Sequence, residues 1–212
     1  MDNLIEGNLA ILAIDMHRGH LDPRVATLPL APSKCDQIIS NTKTFFNKVR
    51  RANIPIIHIV SISRGEWEMM NNPYFRAKLK DPKATRRNVS KHNLEGSPGT
   101  EVIADLYSRR DYVVKNKKRF NCFYATDLEF LLRSLDVRTV ALTGVNTNSC
   151  VLCTAFDAHT RDFKVLMVKD CVDSMDGEEL HRYAIAIFET ALGWAVNSED
   201  LIQEIKKRRQ RL

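Results

Sequence analysis

Apolar residues fall into two rhythms along this chain. "LAILAID" (9–15) is a continuous apolar run ending in an acid, and "IPIIHIVSI" (54–62), "VRTVALTG" (137–144) and "FKVLMVKD" (163–170) are of the same kind. Short unbroken runs of this sort predict strands buried on both faces, as in a parallel sheet. "DYVVK" (111–115) and "WAV" (194–196) read as two further strands. Between the strands the period changes. Ile38, Ile39, Thr42, Phe45, Phe46 and Val49 recur at helical spacing within 34–52, and helices are also predicted at 125–135, 149–161, 178–191 and 198–210. Thr126 is the expected N-cap of the 125–135 helix, with Glu129 completing a capping box. "GTEVIADL" (99–106) predicts a short helix capped by Thr100. Residues 63–98 carry Pro73, Pro82, Gly96 and Pro98 and have no clear period. They read as a long excursion with short helices, and excursions of that length in compact domains are often functional.

Strand and helix alternate from end to end, without repeats or a composition break. The expected fold class is α/β: one domain over 1–212 with a mostly parallel six-stranded sheet and helices on both faces. In such sheets ligands bind beyond the carboxyl ends of the strands. Three chemically able groups fall there. Asp15 ends the first strand, Lys115–Lys118 follow "DYVVK", and "GVNTNSC" follows the 137–144 strand and carries Cys150 into the next helix. Free N–H groups and the positive dipole end at a helix start favour a thiolate, and a nearby ammonium favours it further. Asp15 would accept the thiol proton and return it to a leaving amine. Each residue alone has an ordinary explanation, in packing, capping or surface charge. Their convergence at one sheet edge is what points to catalysis.

Composition narrows the setting. No stretch approaches the roughly 20 apolar residues of a membrane span, and "MDNLIEGN" lacks the basic-then-apolar pattern of a signal peptide. A soluble cytoplasmic protein without a membrane partner is expected. The formal net charge is +6, and much of the excess lies in the terminal "IKKRRQRL", read as a solvated helix end and not as a nucleic-acid interface. Five cysteines are an odd number. Cys150 and Cys153 form a C-x-x-C pattern, but no second pair with zinc-like spacing accompanies it, so neither a metal nor a disulfide framework is expected.

The blocks "LAILAIDMHRGHLD", "VVKNKKRFNCFYATDLEFLL" and "VALTGVNTNSCVLCTAFDAHTRDFKVLMVKDCVDS" resemble, in order and spacing, the isochorismatase-like cysteine hydrolase superfamily. The resemblance is weakest in 63–95. It implies a three-layer α/β/α fold, an Asp15–Lys117–Cys150 triad, a cis peptide at Val145–Asn146, and an oxyanion hole from the backbone amides of Asn146 and Cys150. Lys117 is assigned only through the resemblance, by counting back from Phe123 in K-K-R-F-N-C-F; the residues themselves leave Lys115 and Lys118 as rivals.

Departures from the family pattern carry information too. The usual D-M-Q-N-D-F reads D-M-H-R-G-H here, which makes His17 and His20 candidate pocket residues, with Arg18 between them. The D-x-H metal pattern of nicotinamidases is missing from "HIVSISRGE", so no metal or other cofactor is expected. Cys150 argues against the isochorismate ether hydrolases, which lack that nucleophile. "FYATDLEFLL" resembles biuret and carbamoyl-amide hydrolases, and "FETALGWAV" resembles ureidoacrylate amidohydrolases. The implied activity is hydrolysis of a linear amide or ureido C–N bond in a small molecule, through a thioester. An ether or ester hydrolase and an inactive binding module are the alternatives. Arg64, Trp67, Arg119, Asn121 and Phe123 are candidate substrate contacts, with Lys91, His92 and Tyr124 behind them. The resemblance also implies a homodimer or homotetramer.

Overall fold

The computed structural model describes residues 4–210. The start of the N-terminal segment read for a signal peptide and the last two residues of the basic run lie outside the described residues. Six strands form one sheet in the order β3-β2-β1-β4-β5-β6, namely β1 (Asn8–Ile14), β2 (Ile56–Ser61), β3 (Tyr112–Lys117), β4 (Val137–Val145), β5 (Lys164–Asp173) and β6 (Trp194–Val196). All five pairings between them are parallel. This is the expected fold class. Each central strand is buried along nearly its whole length because both faces are covered.

The side chains of β1 sort the two faces. Leu9, Ile11 and Ala13 join a core with Ile38, Phe45, Phe46 and Val49 of α2 (Pro32–Arg51) and Leu201, Ile202 and Ile205 of α8 (Ser198–Gln210). Ala10, Leu12 and Ile14 point the other way. They pack with Leu128 and Leu132 of α5 (Leu128–Ser134), Ala155 and Ala158 of α6 (Leu152–Thr160) and Phe188 of α7 (Glu178–Ala191). The result is three layers. Pro32 starts α2 at a position where its missing N–H costs no helical hydrogen bond.

Sheet order reverses between β1 and β4: β2 and β3 lie to one side of β1, and β4 to β6 to the other. The crevice at such a reversal is where ligands sit in open α/β sheets. Here the two strands approach very closely. A Cβ on Gly144 (φ 111°) would lie 1.9 Å from the carbonyl oxygen of Ile14, so β4 can run beside the end of β1 only with glycine there.

Local expectations differ from the structure in three places. The helix expected from Thr100 is a pair of 3-10 turns, Pro98–Thr100 and Ala104–Leu106. The Thr100 hydroxyl donates to Ser97 O instead of capping. The 125–135 helix begins only at Leu128; Thr126 Oγ1 accepts from Leu128 N at 3.3 Å while donating to Cys122 O, and no capping box with Glu129 forms. The excursion contains α3 (Glu66–Met70) and α4 (Pro73–Leu79), and a short α1 (Arg18–Leu21) follows β1. Among the described residues, no helix is long and apolar enough to cross a membrane.

Candidate active site

Four neighbouring strands deliver their carboxyl ends to one spot. Asp15 follows β1 directly, in the left-handed region (φ 52°), and its N–H still donates to Ile59 O of β2 at 2.9 Å. Ser61 ends β2, Lys117 ends β3, and Asn146 and Cys150 follow β4. The Lys117 ammonium donates to Asp15 Oδ2 at 2.5 Å, to Ser61 Oγ at 2.9 Å and to Cys150 Sγ at 3.3 Å. Three N–H donors thus have three acceptors, which makes a buried ammonium tolerable. Ser61 completes the set, giving its hydroxyl proton (2.8 Å) and its backbone N–H (3.2 Å) to Asp15 Oδ1.

Burial of Asp15 alone would raise its pKa, but the Lys117 ammonium, helped by His17, holds the carboxyl well below its usual range. Burial pulls Lys117 down, yet Asp15 and Cys150 together push it up. The acid and the ammonium therefore form a charged pair. Cys150 behaves otherwise. Burial pushes its thiol up to about 11; Lys117 pulls it down, and the nearby Asp15 carboxylate pushes it up. Burial and the Asp15 carboxylate thus oppose the pull of Lys117 toward the thiolate, so the proton rests on sulfur until Asp15 takes it. The backbone differs from expectation. Cys150 lies not in the first turn of an α-helix but in a π-helical turn, Thr147–Val151, that precedes α6. Wide turns of this kind recur at functional sites. The Val145–Asn146 peptide bond is cis.

The sulfur borders a cavity of about 30 Å³, room for a water or two. Its floor is Asp15, Ser61, Lys117, Asn146 and Cys150. Its roof is Leu28, Met69, Phe75, Val89 and Phe120, most of which belong to a small apolar cluster separate from the two main cores. His20, Arg86, His92, Lys118 and Arg119 line the sides. Arg86 ties the excursion to the nucleophile loop, donating to Ser149 Oγ at 3.1 Å and to Asp176 Oδ2 at 2.5 Å. The Asn146 side chain accepts from Met175 N at 2.9 Å through Oδ1, and its buried Nδ2 has no partner.

The candidates named from the sequence divide. His20 and Arg119 line the cavity, and fully buried His17 stands behind Asp15, with Nε2 3.4 Å from Oδ1. Arg64 and Trp67 do not line it: Trp67 is 58% exposed, and the Arg64 guanidinium lies over its ring and pairs with Glu68. Nor do Asn121, which donates to Asp157, and Phe123, which stacks on Phe163 in the core. Tyr124 and Lys91 are exposed. Ser61 and Arg86 were not anticipated. Ser61 carries a usable signal, a polar residue closing an apolar strand at the same sheet edge. Arg86 sits in the aperiodic excursion and carries none.

Comparison with known proteins gives a consistent picture. The family model described as "Isochorismatase domain" matches residues 9–200. A ureidoacrylate amidohydrolase, RutB, of Methylobacterium radiotolerans is 33% identical over 115 residues, 53% of this chain and 45% of that protein. The chain spans about half the length of the curated relatives it matches. Among solved structures, an isochorismatase-like hydrolase from Alkaliphilus metalliredigens superposes with a TM-score of 0.74 at 29% identity, covering 93% of this chain and 98% of that one. An N-carbamoylsarcosine amidase from Thermoplasma acidophilum gives 0.69 at 25% identity, covering 90% and 96%.

Proposed function

The chain belongs to the isochorismatase domain family, and on that premise we propose that it is a cysteine-dependent hydrolase of a linear amide or ureido C–N bond in a small molecule. One observation carries the reading: a single buried ammonium bonds both a carboxylate and a cysteine sulfur on the floor of a cavity. The relatives named as amidohydrolase and amidase support the bond type.

In the proposed reaction Asp15 takes the Cys150 proton as the sulfur attacks the substrate carbonyl carbon, so an anion forms on sulfur only transiently. Lys117 stays protonated and balances whichever partner is negative. The carbonyl oxygen becomes an oxyanion that the backbone amides of Asn146 and Cys150 receive. The C–N bond then breaks, and ammonia or an amine leaves with the proton from Asp15. Water attacks the thioester, Asp15 accepts its proton, and the acid or carbamate departs as the proton returns to sulfur. No external oxidant or reductant is consumed.

The charge balance around the cavity suggests the substrate class. Lys117 faces Asp15, Arg86 faces Asp176 and Lys118 faces Glu68. Arg119 instead donates to two backbone carbonyls, Lys118 O and Glu68 O. A substrate carrying a carboxylate supplies the anion this side chain lacks. An ammonia-release screen over amides, ureas, biuret and N-carbamoyl amino acids tests the reading. The expected result is turnover of a carboxylate-bearing amide or ureide by the native protein and none by Cys150→Ser. Undiminished turnover in that variant would overturn it.

A further inference from the structure

Beside the catalytic floor lies a group that the proposed reaction does not use. His17, His20 and His92 are 0%, 4% and 4% exposed and each can direct one ring nitrogen into a common space, all three atoms lying within 4.8 Å of one another. We propose that these three histidines bind one divalent transition-metal ion of the zinc class, with an open coordination position facing the cavity.

The outer hydrogen bonds prepare the rings. His20 Nδ1 lies 2.6 Å from Leu28 O; a carbonyl only accepts, so Nδ1 carries the proton and Nε2 offers its lone pair. Metal-binding histidines are typically anchored through the second ring nitrogen in this way. His92 Nδ1 is 2.9 Å from Thr27 Oγ1, and His92 Nε2 is buried without any partner. Such an orphan is costly in a packed interior, and a shared cation satisfies it. Asn93 Nδ2 lies 2.9 Å from His17 Nε2 and donates to Ser61 O at 2.9 Å; an amide N–H only donates, so an ion takes the His17 lone pair by displacing this amide. The close approach is built in at Gly19, where a Cβ would meet Asn93 Oδ1 at 2.0 Å and His92 Cε1 at 3.1 Å.

Metal preference follows from the donors. Three imidazoles with nitrogen–metal distances of about 2.0–2.1 Å suit zinc and its neighbours, and three protein ligands plus one open position is the pattern of accessible zinc sites. Closing the rings onto such an ion requires an inward movement of about 1 Å. The Asp15 carboxylate, 3.4 Å from His17 Nε2, favours a cation there. His20 and His92 line the cavity, so the fourth position opens toward it. This donor set lies outside the D-x-H pattern whose absence led to the expectation of no metal. The inference is also independent of the hydrolytic reading.

The test is a Co²⁺ titration of untagged, chelator-stripped protein, followed by visible absorption and by metal analysis after dialysis, with no substrate present. Expected are one Co²⁺ per chain, d–d bands of a low-coordinate nitrogen–oxygen site, no near-ultraviolet thiolate band, and displacement by Zn²⁺. His20→Ala and His92→Ala should each weaken binding more than about 100-fold, with folding checked by circular dichroism, whereas Cys150→Ser should retain it. Failure of the native protein to take up a stoichiometric ion overturns the proposal whatever the variants do. So does a thiolate band that vanishes in Cys150→Ser, or binding that survives both folded histidine variants.

Discussion

The floor and the roof of the cavity are built on different principles. The floor stands on the ends of four hydrogen-bonded strands, and its acid, hydroxyl and ammonium satisfy one another within hydrogen-bond distance. The roof comes largely from residues 63–98, held by a four-residue apolar cluster of Leu28, Met69, Phe75 and Val89. A cavity of about 30 Å³ is far below the several hundred that small-molecule sites usually offer, so a substrate enters only if one of the two yields. The floor cannot give without parting a buried ion pair. The roof can, at the cost of a modest apolar contact and of the tie from Arg86 to Asp176 at its margin. Chemistry is fixed and access is adjustable, the arrangement that a preorganised site needs.

Substitutions in the two regions should therefore fail differently. The largest effect is expected for Cys150→Ala, with turnover falling by about 10³-fold or more while the thermal midpoint barely moves, read by steady-state kinetics and calorimetry. The thiol held up at about 11 also predicts that alkylation of Cys150 keeps accelerating with pH beyond the range where an ordinary cysteine levels off; a plateau near neutrality would mean a resting thiolate. Next come the charged partners. Asp15→Asn or Lys117→Met alone strands a buried charge and should cost about 3–5 kcal/mol by denaturant unfolding, whereas the double variant recovers much of that stability and none of the activity. The pH dependence has a definite sign. Asp15 is held below its unfolded value of about 3.8, so its contribution to stability is present above that pH and is lost as the pH falls through the lower folded value. A smaller change is expected at Arg119→Gln, a rise in KM of roughly ten- to a hundredfold on carboxylate substrates with kcat nearly kept. Smallest is the roof. Phe75→Ala should lower stability less than Phe46→Ala in the main core, where such a truncation costs about 3–5 kcal/mol, and should speed alkylation of Cys150; equal costs at the two positions would erase the distinction.

The same division governed what could be read from the sequence. The floor was legible because unbroken apolar runs have visible ends, and Asp15 and Cys150 lie at or just past such ends. Ser61 and Lys117 were exceptions. The pairing of β2 with β3 shifts between Ile59 and Ser61, so Lys115 and Asn116 are both exposed and Lys117 turns inward. A bulge of this kind breaks the two-residue alternation that would have singled it out. The roof carries no periodic signal: α3 and α4 are five and seven residues long, the rest is turns, and Arg86 reaches the site through contacts that no local pattern encodes. The protonation state of the sulfur is hard to read from a sequence for a related reason. A helix start and a nearby lysine are visible in a sequence, but the burial that outweighs them is a property of the whole fold.

The central claim is that Cys150 becomes covalently acylated during turnover. The most direct test is rapid-quench intact-mass spectrometry with a substrate found in the screen, followed by peptide mapping. The account predicts a transient mass increase equal to the acyl group, located on the peptide that contains Cys150 and absent in Cys150→Ser. Rapid turnover by the native protein with no acyl adduct at any quench time, and undiminished turnover in Cys150→Ser, would contradict it.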